Sequence, residues 1–238
     1  MRIFTNSDDT IIIGEKDNDN YIVKYDNEFY KIPKEKLCDI CDPDSLRLKK
    51  EISDNPIVSL IMVATILFTI LSFFRAETYV IIDSNFLIAN VVLFGNVFIH
   101  EAGHIIFLKM YYKYGKVRIG FKFFFIYPAF YVDTSDSYFL PKYKRISVYL
   151  AGNFFNCIYV LICLIFFPDT NKFNYIIVST ILINFLPIIK SDGYYALISL
   201  WDKHNYYKGK KRAYFEDTIR GAIMFLLLFV LSRIDAFF

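Results

Sequence analysis

Apolar residues are distributed along this chain in two ways. The first 55 residues carry short apolar runs separated by Asp- and Asn-rich turns; from Pro56 onward the runs become long. In the first stretch Thr10–Ile13, Tyr21–Tyr25 and Glu28–Ile32 are rich in Ile, Val and Tyr, which predicts strands. Lys34–Ile40, directly after Pro33, predicts a short helix. Residues 1–55 thus read as a small, soluble, β-containing piece.

Ile57–Phe74 is an uncharged run of 18 residues, long enough to cross a hydrocarbon core. Further spans are predicted at about 86–110, 146–167, 175–200 and 222–236. The second is uncharged from Asn85 to Ile99, and the fourth contains Pro187. The expected fold class is an all-α polytopic membrane protein: about five transmembrane helices with a metal site in the bundle (residues 56–238), plus the N-terminal piece and a β-like inner loop. Residues 1–20 are polar, so no cleavable signal peptide is expected ahead of the first span. No internal repeat or low-complexity linker interrupts the pattern.

Composition strengthens the membrane reading. Hydrophobic residues make up 55% of the chain and aromatic residues 19%. A soluble protein of 238 residues could not hide that much apolar surface. Charge supplies the orientation. Segments 1–55, 111–145 and 201–220 carry 9, 7 and 6 Lys or Arg, while the opposite loops hold only Arg75, Lys172 and Arg233. The excess marks the inner side, so an integral membrane protein with its N-terminus cytoplasmic is expected. Lys208–Arg212 suits anionic head groups, Lys190 would snorkel to the interface, and His204, near Trp201 and Tyr206, reads as interfacial. A net charge of +3 provides no basic face for nucleic acid. Cys38 and Cys41 form a single CxxC without a second pair, a weak zinc signal, and Cys157 and Cys163 lie in an apolar run. Nothing suggests a disulfide framework.

The chemistry lies inside the apolar runs, where ionisable groups are costly and usually functional. His100-Glu101-Ala102-Gly103-His104 contains two of the three histidines. At i and i+4 on a helix both imidazoles reach one ion, and Glu101 beside them can take a proton from an activated water. Catalytic zinc commonly takes a third protein ligand. Asp192 is the natural candidate, in Asn184-Phe-Leu-Pro187-Ile-Ile-Lys-Ser-Asp192-Gly193, where Pro187 and Gly193 can break the helix. On the expected topology His100 and Asp192 lie about 21 and 25 Å from the outer ends of their spans, similar depths. Two histidines and a carboxylate suit Zn2+. Asn153, Asn156 and Asn184 are further polar groups within spans. They fit substrate or oxyanion contacts and fit interhelical hydrogen bonds equally well.

HEAGH in a span, followed by Asn184-x-x-Pro187-x-x-x-x-Asp192-Gly193, resembles the site-2 protease family of intramembrane zinc metallopeptidases. Arg145-Ile-Ser-Val-Tyr-Leu-Ala151-Gly152-Asn153-x-x-Asn156 is similar to that family's third-span signature, with Gly-Asn here in place of the usual Gly-Pro. The resemblance covers about residues 90–200. The loop Tyr127-Pro-Ala-Phe-Tyr131-Val-Asp133-Thr-Ser-Asp136 is similar to a narrower group of small peptide zinc metallopeptidases found with ribosomally made, modified peptides in bacteriocin-like operons. The resemblance implies zinc on His100, His104 and Asp192, with Glu101 as general base for peptide hydrolysis.

It also implies a peptide or membrane-protein substrate, the lipid bilayer as surroundings, and an ABC-type exporter or peptide-modifying enzyme as partner. Maturation of a small secreted peptide is the leading function. Regulated cleavage of a membrane-tethered signalling factor and a non-catalytic role beside a peptide exporter are the alternatives; an intact Glu101 speaks against the last. The β-prone segments Val117–Ile126 and Ala129–Val132 would offer an edge to an extended substrate. Residues 1–55 would bind a peptide or partner.

Overall fold

The computed structural model describes residues 1–6, 10–15, 20–39, 41–42, 45–75, 86–124, 127–167, 171–186 and 191–201. Near the N-terminus the chain forms strands β1 (Arg2–Thr5), β2 (Ile12–Glu15), β3 (Asn20–Tyr25), β4 (Glu28–Pro33) and β5 (Arg47–Glu51). They make one antiparallel sheet in the order β4-β3-β2-β1-β5. The β3–β4 hairpin turns on Asp26 and Asn27, both with positive φ (46° and 65°). Such two-residue loops match the twist of the flanking strands, and Asp and Asn tolerate them better than most residues. In place of a helix over 34–40, the chain makes a single 3-10 turn at Lys34–Lys36.

Sheet residues alternate between two cores. Ile13 and Val23 pack beneath Leu37 on one side. On the other, Ile3, Ile22 and Phe29, with Ile52, pack against Leu108, Tyr112, Phe139, Leu140 and Val148. Each such side chain contributes about 1.5–3 kcal/mol when fully buried. Several together make the sheet part of the main body of the protein.

The helical part comprises α1 (Ile57–Arg75), α2 (Phe86–Tyr111), α3 (Lys142–Phe166), α4 (Asn171–Phe185) and α5 (Asp192–Leu200). Between α2 and α3 lies an antiparallel hairpin, β6 (Arg118–Phe124) and β7 (Tyr127–Asp133), then a 3-10 turn at Ser135–Phe139. The α3 helix is central and touches α1, α2, α4 and α5. Its face of Ile146, Tyr149, Leu150, Cys157 and Val160 joins Met62, Ile66 and Ile70 of α1 and Ile177 and Ile181 of α4 in one core. Two lysines secure the C-terminal end of α2. Lys50 Nζ donates to the Tyr111 carbonyl at 2.8 Å, and Lys109 Nζ to that of Gly115 at 2.7 Å. Basic groups suit the orphan carbonyls of a helix end.

The outward helix faces stay apolar: Leu60, Phe68, Leu71, Val91, Phe94, Phe98, Leu161, Ile165 and Phe166 are all exposed. Surface of this kind marks contact with another molecule or with lipid. Among the described residues two helices, Asn90–Tyr111 and Lys142–Phe166, are long and apolar enough to cross a membrane. This supports membrane association.

The expected all-α, five-span fold is not what forms. The protein is mixed, with a five-stranded sheet and two candidate membrane helices among the described residues. One reason is that the apolar run at 175–200 is not one helix. It makes two short ones, α4 and α5, ending at Phe185 and restarting at Asp192. The apolar stretch Ile57–Phe73 is also short. The sheet, for its part, recruits the charged segment Arg47–Glu51 as an edge strand, where charge is favoured because it discourages further pairing. The predicted span 222–236, Lys208–Arg212, His204, Pro187 and Lys190 lie outside the described residues.

Candidate metal centre

His100 and His104 project from one face of α2 toward α3, and Asp192 meets them from the first turn of α5. Helix α5 starts there because Ser191 caps it, its hydroxyl accepting from the Tyr194 N–H and donating to the Leu186 carbonyl at 2.7 Å. A carboxylate in the first turn also suits the positive end of the helix dipole. Gly193 permits the close approach. A Cβ at this position would lie 1.7 Å from the Phe185 carbonyl oxygen, so only glycine lets α5 fold back against the end of α4. Stacking of Tyr149 on Tyr195, centroids 5.4 Å apart, ties α5 to α3.

Three donor atoms face one another. Asp192 Oδ2 is 2.9 Å from His100 Nε2 and 3.4 Å from His104 Nε2, and the two Nε2 atoms are 3.2 Å apart. Tetrahedral zinc, with ligands at about 2.0–2.2 Å, needs donors roughly 3.3 Å apart. The triangle fits that spacing.

The tautomers fit as well. His104 Nδ1 lies 2.8 Å from the Val148 carbonyl, which can only accept, so Nδ1 carries the proton and Nε2 presents its lone pair. His100 Nδ1 lies 3.1 Å from the Asn156 amide. The structure sets the Asn156 Nδ2 against this nitrogen; turned about, the same amide would offer Oδ1 to an Nδ1–H and leave His100 Nε2 free for a metal. Space is left by Gly152 of α3. A Cβ there would sit 2.5 Å from His100 Nε2 and 2.6 Å from His104 Nε2, in the volume where the donors converge.

Glu101 lies beside the triangle, and its Oε2 accepts the backbone N–H of Val132 on β7 at 2.7 Å. The hairpin thus holds the one carboxylate of the motif that is not in the triangle. Sequence reasoning had no signal for this contact, because Val132 takes part through its backbone.

Over 136 residues the chain is 34% identical to a protein of Bacillus subtilis (strain 168) named "Putative peptide zinc metalloprotease protein YydH". The match covers 52% of this chain and 52% of that protein, so the chain spans about half the length of the curated relative it matches. No protein-family profile matches the chain, and no solved structure matches it.

The three asparagines separate in space. Asn156 is buried behind His100, on the side of the ring away from the donor triangle. Asn153 is fully buried, with neither amide atom paired among the described residues, and Asn184 is half-buried near the end of α4. Cys38 and Cys41 are both free. Burial, then the neighbouring Cys38 and Asp42, pushes the Cys41 thiol up, away from the thiolate that zinc requires. Among the described residues, His100, His104 and Asp192 are the one group of three or more side chains arranged to hold a metal ion.

Proposed function

We propose that the protein is a membrane-embedded zinc metallopeptidase of the site-2 protease type that matures a small secreted or modified peptide. The observation that carries this reading is the triangle of His100, His104 and Asp192 donors with Glu101 held beside it. The name of the Bacillus subtilis relative supports the same class. His100, His104 and Asp192 would hold the zinc, which when bound supplies a Lewis acid that activates water and polarises the scissile carbonyl. Glu101 takes the proton of the attacking water and returns it to the leaving amine. The Val132 N–H engages Oε2 and fixes the carboxylate, leaving Oε1 for the transfer. Asn156 and the Val148 carbonyl keep both imidazoles in the tautomer that binds metal through Nε2.

An extended substrate has an edge to pair with. Val132 directs its N–H to Glu101 rather than to β6, and in an antiparallel ladder alternate residues face the same way. The backbone of Phe130 and the carbonyl of Pro128 therefore share the outer edge of β7. Proline has no N–H to give, so its place in this phase leaves the pairing with β6 intact. A peptide added along that edge would run beside Glu101.

The test compares secreted peptides and membrane-protein fragments from cells expressing the wild type or Glu101→Gln alongside the native neighbouring genes. A short peptide formed only with the wild type is the expected result. A cytoplasmic fragment of a membrane protein would replace maturation with regulatory cleavage. Identical profiles would overturn the peptidase reading.

A further inference from the structure

The N-terminal sheet has one charged side chain buried against the helical part. Lys24 of β3 pairs with Asp136 in the 3-10 turn after β7, and each is at most 6% exposed. Asp136 does more than neutralise it. Its Oδ2 accepts the backbone N–H of Lys116 at 2.6 Å, two residues before β6. On the other side Asp133, the last residue of β7, closes the turn by accepting from the Ser135 N–H at 2.9 Å and from its hydroxyl. Asp136 thus pins both ends of the β6–β7 hairpin to each other, and Lys24 pins Asp136 to the sheet. Two further contacts run the same way. Arg118, opposite Asp133 in the ladder, reaches Asn27 in the β3–β4 turn, and Phe29 packs on Tyr138 and Phe139 with centroids 5.2 and 5.6 Å apart.

We infer that the N-terminal sheet positions Glu101: through the buried Lys24–Asp136 pair it sets the base of the β6–β7 hairpin, whose Val132 amide holds the Glu101 carboxylate. Lys24 is then a positioning residue that acts through Asp136, four residues beyond Val132. The metal donors do not depend on it, because His100, His104 and Asp192 are held through α3 and α5. The Lys24–Asp136 pair therefore bears on the base separately from the metal. That Glu101 is the base rests on the peptidase reading; its attachment to the sheet does not.

Hydrogen exchange on the full chain in lipid nanodiscs tests this, since the Val132 amide reports its bond to Glu101. Glu101→Ala, which removes the acceptor, sets the unprotected rate. Lys24→Met alone would strand a buried carboxylate and unsettle the fold, so the variant of choice is Lys24→Met with Asp136→Asn. It keeps shape and an acceptor for Lys116 but removes the ion pair. Exchange at Val132 should rise about tenfold toward the Glu101→Ala rate, the loss of one charge-assisted bond. Segments 100–104 and 148–156 should keep their protection and the protein its zinc content. Lys24→Arg should restore the wild-type rate. Unchanged exchange at Val132 in the double variant would overturn the inference, as would equal acceleration across α2 and α3. Exchange is read whether or not the protein cuts peptides, so failure here is distinct from failure of the proposed activity.

Discussion

Gly152→Ala is the sharpest probe of the metal centre, because the structure specifies both what the new methyl meets and what it leaves alone. Its Cβ would lie 2.5 Å from His100 Nε2 and Cε1 and 2.6 Å from His104 Nε2. Ordinary contact begins near 3.4 Å, so both nitrogens must retreat by about 0.8–0.9 Å, several times the roughly 0.2 Å tolerance of a zinc–ligand bond. Losing the geometry of two of three ligands should weaken zinc binding by at least about 100-fold, the upper end of what even indirect disturbance of ligands produces. The fold should survive. Alanine gains about 1 kcal/mol of helix propensity over glycine, against about 1–3 kcal/mol for overpacking. The net cost is small beside a stability of about 5–15 kcal/mol. The assay is zinc stoichiometry by mass spectrometry, with competition against a fluorescent chelator, beside a thermal melt by circular dichroism. A folded Gly152→Ala protein that binds zinc as tightly as the wild type would show that the donors do not converge where the structure puts them.

Other substitutions separate the remaining parts. Gly193→Ala places a methyl 1.7 Å from the Phe185 carbonyl, so α5 must shift and carry Asp192 away; zinc affinity should fall at least as far as in Asp192→Asn, measured by the same competition. Asn156→Leu removes the partner of His100 Nδ1 while filling the space, so zinc affinity should drop about 10–100-fold with little change in Tm. Lys24→Met should destabilise by about 3–5 kcal/mol because Asp136 is left buried and unpaired, and combination with Asp136→Asn should recover most of the loss in urea unfolding.

What could be read from the sequence follows from how local each signal is. HExxH places His100 and His104 on one helix face through the helical repeat alone, and Gly193 beside an acid announces a break where Asp192 could turn inward. The strand-like texture of residues 10–33 is also local, and β2, β3 and β4 form there. β1 and β5 gave no such signal. Arg47-Leu-Lys-Lys-Glu51 is too charged to read as a strand and becomes one only by lying at the edge beside β1. The contact of Glu101 with Val132 is invisible for a different reason, since a backbone amide has no side-chain identity to notice.

A further source of the error in fold class is physical and general. Hydropathy records that a residue avoids water, and lipid and protein satisfy it equally. Leu108, near the end of α2, Tyr112, just past it, and Val148, in α3, lie in or beside runs read as spans, yet they are fully buried against Ile3, Ile22 and Phe29 of the sheet. Read as lipid-facing, they leave the N-terminal piece nothing to dock on, and it becomes an appendage. Read as protein-facing, they require a sheet of matching apolar face directly beneath the helices that carry the histidines. The sheet supplies that face. It also caps α2 through Lys50 and braces the hairpin through Lys24, so the helix that bears the HExxH motif is held at its end by residues from the first 55.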